Sequence, residues 1–128
     1  MPVRVVLADD HALVRQGIKS VLEREGLQVV AEASDGQEAI RQAKALAPDV
    51  VVMDIGMPTL NGMDAARELG RCCPKVKSIL LTQHDEDQYV SEALSAGVKG
   101  YVLKSQVASA LIQHADPTLA AGVWRTIQ

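Results

Sequence analysis

The fold of this chain is decided by the stretch VVVMDIGMP, which runs from Val50 to Pro58. The apolar run before Asp54 is mostly β-branched, a pattern typical of a strand that is buried on both faces inside a parallel sheet. Gly56 and Pro58 then supply turn residues. Ligands of open α/β sheets bind at the edge where such strands end. Asp54 is therefore a candidate site residue, although an aspartate at this position can equally cap the next turn.

The rest of the chain alternates between strand-like and helix-like segments. Short apolar runs predict four further strands, at residues 3–8, 27–33, 76–82 and 98–103. Apolar residues at helical spacing, bounded by capping residues, glycine or proline, predict five helices, at residues 11–25, 36–46, 61–71, 85–97 and 105–115. Strands joined by helices form right-handed βαβ units. We therefore expect an α/β fold, with one five-stranded parallel sheet covered by helices on both faces.

Composition excludes several classes of function. The 128 residues suit one domain, and the 48% hydrophobic and 23% charged content is ordinary for a globular protein. A net charge of −3 gives no long-range attraction to nucleic acid or to an anionic membrane. The adjacent Cys72 and Cys73 have no metal-ligand spacing and predict reduced thiols. Since no signal peptide or membrane span is present either, we expect a cytoplasmic protein.

Polar residues follow four of the predicted strands at one edge of the sheet. They are Asp9 and Asp10 after the first strand, Asp54 after the third, Thr82 after the fourth and Lys104 after the fifth. Each has a simple structural explanation, since Asp10 and Thr82 can cap helices and Lys104 can be a solvated charge. Converging carboxylates repel one another, however, and a divalent cation such as Mg²⁺ removes that repulsion. With a hydroxyl and an ammonium group, these residues could hold a phosphoryl group around a carboxylate nucleophile.

At these positions the sequence resembles the receiver domain of two-component response regulators. The matching motifs are Asp9-Asp10, MDIGMP around Asp54, Leu81-Thr82, Ala96-Gly97 and GYVLK from Gly100 to Lys104. The segments LNGMDA and GYVLKS are more specifically similar to receivers of the NarL/FixJ subfamily. The resemblance covers about residues 3 to 112. It implies a flavodoxin-like (βα)5 fold with strand order 2-1-3-4-5.

The resemblance also implies a phosphoacceptor and a metal site. Asp54 would accept a phosphoryl group from a sensor histidine kinase. Mg²⁺ would be bound directly by Asp10, Asp54 and the backbone carbonyl of Gly56, while Asp9 would act mainly through water.

A second group of residues would respond to the phosphoryl group. Thr82 would donate a hydrogen bond to its oxygens and Lys104 would pair with them. Tyr101 would turn inward when Thr82 moves, although an ordinary half-buried strand tyrosine is an alternative. Gly56 and His84 occupy two variable positions that, in the family, modulate how fast the phosphate is lost.

The implied function is a phosphorylation-dependent signalling switch that changes a protein-contact surface. It would control transcription through an output domain absent from this chain, form a homodimer on phosphorylation, and catalyse only its own phosphotransfer and dephosphorylation. One alternative is a degenerate receiver that acts as a phosphate-independent scaffold, which the intact site residues disfavour. Another is a small aspartyl phosphohydrolase, which would usually have a second aspartate where this chain has Gly56. The first strand is not followed by GxGxxG, which disfavours a dinucleotide-binding fold.

The end of the chain departs from the family pattern. Pro117 lacks an N–H and disfavours helical geometry at Asp116, so the last helix is predicted to end or kink between His114 and Asp116. We therefore expect a receiver domain at residues 1–115 and a separate tail at residues 116–128. Whether the receiver stands alone or belongs to a longer protein is left open by the sequence.

Overall fold

The structure is a computed structural model, which describes residues 3–82, 95, 97–98 and 100–103; at Thr82 and at residues 100–103 it describes the backbone only. The strands are β1 (Arg4–Ala8), β2 (Gln28–Ala33), β3 (Val50–Asp54), β4 (Lys77–Thr82) and β5 (Gly100–Leu103). The helices are α1 (Ala12–Arg24), α2 (Gly36–Leu46) and α3 (Gly62–Cys72). Each of these agrees with its predicted range to within two residues. The helices predicted at 85–97 and 105–115 lie almost wholly outside the described residues and stay predictions.

The strands form one five-stranded sheet in the order β2-β1-β3-β4-β5. Every neighbouring pair is parallel. This confirms the predicted flavodoxin-like fold and its strand order. Because β3 lies at the centre, between β1 and β4, its last residue reaches the middle of the carboxyl edge.

The position of β3 explains its continuous apolar run. All five of its residues are buried. Alternate side chains of a strand point to opposite faces. Val51 and Met53 therefore pack in the core layer that α2 and α3 cover, whereas Val50 and Val52 pack in the layer that contains Ile18 of α1. Neither face of β3 meets water, so neither face needs polar residues.

Two of the helices begin at the residues that their sequences predict. The Asp35 side chain accepts a hydrogen bond from the Glu38 backbone N–H at 2.8 Å, which caps α2. Asn61 caps α3 in the same way by accepting from the Asp64 N–H at 2.9 Å. Each cap fixes the point at which the chain turns away from the carboxyl edge of the sheet. Among the described helices, none has the length and apolar character needed to cross a membrane.

Candidate functional site

Three carboxylates come together at the carboxyl ends of β1 and β3. The two strands pair in parallel with Ala8 opposite Met53, so the residues that follow them are neighbours. Carboxylate oxygens of Asp9, Asp10 and Asp54 lie within 4.8 Å of one another. We call these three residues the acidic cluster.

The acidic cluster has the donor chemistry of a site for a hard cation. Asp9 is 0% exposed and Asp54 is 5% exposed, whereas the Asp10 side chain is 29% exposed. Negative charges held close together repel one another, and burial reduces the screening of this repulsion by water. A hard divalent cation bound by carboxylate oxygens removes this penalty, and Mg²⁺ typically takes one or two carboxylates and keeps several waters. The residues present therefore fit a magnesium ion, with solvent access on the Asp10 side.

The backbone at Asp9 is fixed from two directions. Its N–H donates to the Ala33 carbonyl of β2 at 3.0 Å. Its carbonyl accepts from Arg15 Nη1 at 2.8 Å, and Arg15 Nε donates to Glu32 Oε1 at 2.9 Å. Arg15 thus joins α1, β2 and the end of β1. These contacts hold the Asp9 carboxylate in place beside Asp54 before any cation binds.

The loop after β3 is packed closely against the site. A Cβ at Gly62 would lie 2.5 Å from the backbone oxygen of Asp54, so only glycine fits without a shift. The Gly62 N–H also donates to the Ile55 carbonyl at 3.1 Å. Thr59 adopts a left-handed conformation with φ of 66°, which L side chains rarely adopt. Together these features return the chain from the site into α3 by a tight turn.

Gly56 lies in this loop, two residues after Asp54. It is exposed, and its N–H lies 3.5 Å from Asp54 Oδ1. A Cβ at this position would have no neighbour within 4 Å. The loop therefore has room for a side chain here, directly beside the acidic cluster.

The other predicted site residues are placed only in part. Asp54 pairs with Leu81 of β4, so the backbone of the next residue, Thr82, lies at the same edge of the sheet. Tyr101 lies in β5 opposite Leu80. Lys104 and His84 fall outside the described residues. Their roles, and those of the Thr82 and Tyr101 side chains, stay predictions.

The sequence analysis overlooked His11. Its Nδ1 atom lies 3.2 Å from Asp10 Oδ1 and 3.4 Å from Asp9 Oδ1, and its backbone N–H donates to Asp9 Oδ1 at 2.9 Å. It is also the N-cap residue of α1, without a capping bond from its own side chain. The alternative that Asp10 caps α1 is therefore wrong. A histidine directly after two candidate metal ligands was the signal that could have revealed it.

Exposed apolar side chains lie beside the acidic cluster. Leu13 is 88% exposed and Val14 is 41% exposed, and both belong to the first turn of α1. They are the large hydrophobic residues that the described part of the chain leaves most open to solvent. Adjacent exposed apolar residues next to a site suit contact with another protein.

Comparisons with known proteins agree with this architecture. A family described as "Response regulator receiver domain" matches residues 5–116. The transcriptional regulatory protein DegU of Brevibacillus brevis is 39% identical over 123 residues, which are 95% of this chain and 52% of DegU. The response regulator UvrY of Escherichia coli O6:H1 is 44% identical over 103 residues, which are 80% of this chain and 47% of UvrY.

A solved structure gives the same result. The signal receiver domain of the putative response regulator NarL from Mycobacterium tuberculosis superposes with a TM-score of 0.78 at 34% identity, covering 89% of this chain and 96% of that one. The chain spans about half the length of the curated relatives it matches. The family match covers most of the chain and includes β3, all of β1 except Arg4, and the carboxyl ends of both strands. This chain belongs to the response regulator receiver domain family, and within that family to the NarL/FixJ type.

Proposed function

We propose that this receiver is a phosphorylation-dependent switch in which Asp54 accepts a phosphoryl group from a histidine kinase. The observation that carries the proposal is the position of Asp54. It ends the central strand, is almost fully buried, and lies within 4.8 Å of the carboxylates of Asp9 and Asp10. A carboxylate oxygen of Asp54 would form the new bond to phosphorus, while the bond from phosphorus to the kinase histidine breaks.

The acidic cluster is proposed to bind Mg²⁺ for this step. Asp10, Asp54 and the Gly56 carbonyl would be its direct ligands, and Asp9 would act through water. When bound, Mg²⁺ neutralises negative charge on the transferring phosphoryl group. Lys104 would pair with the phosphoryl oxygens after transfer.

Phosphorylation is proposed to change a protein-contact surface. Thr82 would donate a hydrogen bond to the phosphoryl group, and Tyr101 would move inward as Thr82 shifts. The exposed Leu13 and Val14, on the first turn of α1 beside the cluster, support contact with a partner protein at this edge. The proposed output is control of transcription through a further domain of a longer protein, with homodimer formation on phosphorylation. The proposed location is the cytoplasm, with no direct binding of nucleic acid by this receiver.

Two other functions are less well supported. A small aspartyl phosphohydrolase would turn over phosphate, but the position two residues after Asp54 is glycine rather than a second carboxylate. A phosphate-independent scaffold would not need three carboxylates gathered at one sheet edge. We therefore propose that the receiver catalyses only its own phosphotransfer and dephosphorylation.

The experiment is incubation with acetyl phosphate and Mg²⁺, followed by intact mass measurement. The wild-type chain is expected to gain one phosphoryl group, and Asp54→Asn is expected to gain none. Asp64→Asn is a matched control, because Asp64 is exposed on α3 and pairs with Arg67. A phosphoryl group on Asp54→Asn, mapped to the same peptide, would show that Asp54 is not the acceptor. Rapid release of inorganic phosphate would instead favour the phosphohydrolase, and no mass gain in the wild type would favour the scaffold.

A further inference from the structure

Two thiols lie side by side at the end of α3, outside the acidic cluster. Cys72 is the last residue of the helix and Cys73 is its C-cap. Both cysteines are free, both are partly buried, and their Sγ atoms are 3.2 Å apart. They are the only cysteines in the sequence. We call them the thiol pair.

The thiol pair lines a cleft of about 330 Å³. The other lining residues are Ala43, Lys44 and Ala47 at the end of α2, and Pro74, Lys75 and Val76 before β4. Because α2 and α3 end where β3 and β4 begin, the cleft lies at the amino edge of the sheet. The acidic cluster lies at the opposite edge. The cleft is thus a separate feature that the proposed phosphorylation does not use.

The short distance between the two Cα atoms disfavours a direct bond between the sulfurs. Adjacent Cα atoms are about 3.8 Å apart, whereas the Cα atoms of a disulfide are usually at least ~4.4 Å apart. A disulfide between neighbours is therefore strained. An atom placed between the sulfurs avoids this strain, because each sulfur then bonds to that atom and not to the other sulfur.

The distance between the two sulfurs restricts which atom fits between them. With bonds to sulfur of about 2.3 Å, as in zinc thiolates, the observed 3.2 Å separation corresponds to an angle of roughly 90° at the central atom. Tetrahedral zinc requires an angle of about 109°. Trivalent arsenic and antimony carry a lone pair and form narrower, pyramidal angles. The geometry therefore suits a trivalent metalloid better than a tetrahedral cation.

The protonation of the Cys73 thiol agrees with this geometric argument. Burial raises the pKa of Cys73 to about 11, and the hydrogen bond and charge of Cys72 add to this effect. The neighbouring charges oppose one another, since Lys44 of α2 lowers this pKa and Glu68 of α3 raises it. A divalent cation must displace thiol protons into solvent. A neutral hydroxide of arsenic(III) carries its own leaving groups, which take up those protons.

We propose that Cys72 and Cys73 form a bidentate binding site for trivalent oxyacids of arsenic and antimony. Two S–H bonds and two arsenic–oxygen bonds break, two arsenic–sulfur bonds form, and two water molecules leave. The oxidation state of arsenic and sulfur does not change, so no oxidant or reductant is required. The apolar wall of the cleft shields the two arsenic–sulfur bonds from water.

The test is titration of the folded receiver with arsenite at neutral pH, read by native intact mass. The wild type is expected to gain one arsenic atom per chain. Cys72→Ser and Cys73→Ser each keep one thiol, and both are expected to bind roughly 100-fold more weakly because the second bond is no longer intramolecular. Asp54→Asn is expected to bind like the wild type, which separates this result from the proposed phosphorylation.

A parallel titration with Zn²⁺ decides the class of ligand. Because the acidic cluster can also bind Zn²⁺, only the Zn²⁺ binding that Cys72→Ser and Cys73→Ser remove is assigned to the thiol pair. Arsenite is expected to bind the thiol pair more tightly than Zn²⁺ does, and equal or tighter binding of Zn²⁺ at the thiol pair would overturn the metalloid assignment. The proposal also fails if the folded wild type gains no arsenic, if it gains arsenic only after denaturation, or if either single variant binds as tightly as the wild type. Circular dichroism of each variant identifies any loss of binding that comes from unfolding.

Discussion

At the scale of single residues, two of the three aspartates in the acidic cluster differ in their exposure to solvent. Asp9 is fully buried and its backbone is fixed by Ala33 and Arg15, whereas Asp10 is partly open to solvent. A cation that arrives from solvent meets Asp10 first. The difference in exposure therefore supports Asp10 as a direct ligand and Asp9 as a residue that acts through water.

This difference gives a prediction for metal binding. Mg²⁺ should raise the thermal midpoint of the wild type, because a ligand that binds only the folded state stabilises it by mass action. Asp10→Ala should reduce this Mg²⁺-dependent rise more than Asp9→Ala does. Differential scanning fluorimetry with and without Mg²⁺ measures both. An undiminished rise in Asp10→Ala would contradict its assignment as a ligand.

Cys73 gives a prediction for stability at high pH. Its pKa is raised from 9.0 to about 11 in the folded state, so the unfolded chain loses this proton first as the pH rises. The stabilising contribution is complete below pH 9 and is lost as the pH approaches 11. We expect Cys73→Ser to lose less stability than the wild type across this interval. Urea denaturation at several pH values measures the difference, and parallel losses in the two proteins would argue against it.

At the scale of secondary structure elements, the two glycines of α3 differ in the space that surrounds them. Gly62 touches the backbone of Asp54, whereas a Cβ at the exposed Gly70 would meet nothing within 4 Å. Gly62→Ala should destabilise the fold by about 1–3 kcal/mol, since the site loop must shift. Gly70→Ala should stabilise it by up to about 1 kcal/mol, because alanine is the better helix former. Chemical denaturation compares the two, and an equal effect of both would contradict the close contact.

The elements themselves were predictable because their signals are local. Burial of β3 on both faces requires apolar residues throughout, and the Asp35 cap needs only Glu38 three residues later. The orientation of His11 was not predictable in this way, since it depends on how α1 leaves β1. The close approach of Gly36 to the Leu60 carbonyl, which leaves no room for a Cβ, likewise joins residues that are distant in sequence. Such contacts follow from packing and have no local signature.

The site residues also differ in how far the sequence predicts their arrangement. Placement of Asp9, Asp10 and Asp54 at one edge follows from the rule for parallel sheets, and the structure brings them together. The thiol pair was interpreted as two ordinary reduced cysteines. Its cleft is formed by the ends of two helices, and the sequence does not show how these helices pack against each other.

At the scale of the whole molecule, the division between receiver and tail is a proposal that rests on Pro117. We propose that the domain ends near residue 115 and that residues 116–128 form a separate tail. Truncation after Ala115 should leave the thermal midpoint and phosphorylation by acetyl phosphate unchanged, and NMR chemical shifts should lose helical values between His114 and Asp116. Pro117→Ala is the matched control, because it should extend the helical shifts. One unbroken helix from Ser105 to Ala121 in the wild type would rule out the division.

The pairing of β1 with β3 also determines when the acidic cluster can form during synthesis. One strand supplies Asp9 and Asp10 and the other supplies Asp54, with β2 and two helices between them in the chain. During synthesis on the ribosome, the first two carboxylates emerge early, but the acidic cluster cannot form until β3 has left the exit tunnel and paired with β1. We therefore expect a nascent chain to be unable to bind the cation or accept a phosphoryl group before its central strands have assembled. The topology would thus prevent an unfinished receiver from signalling.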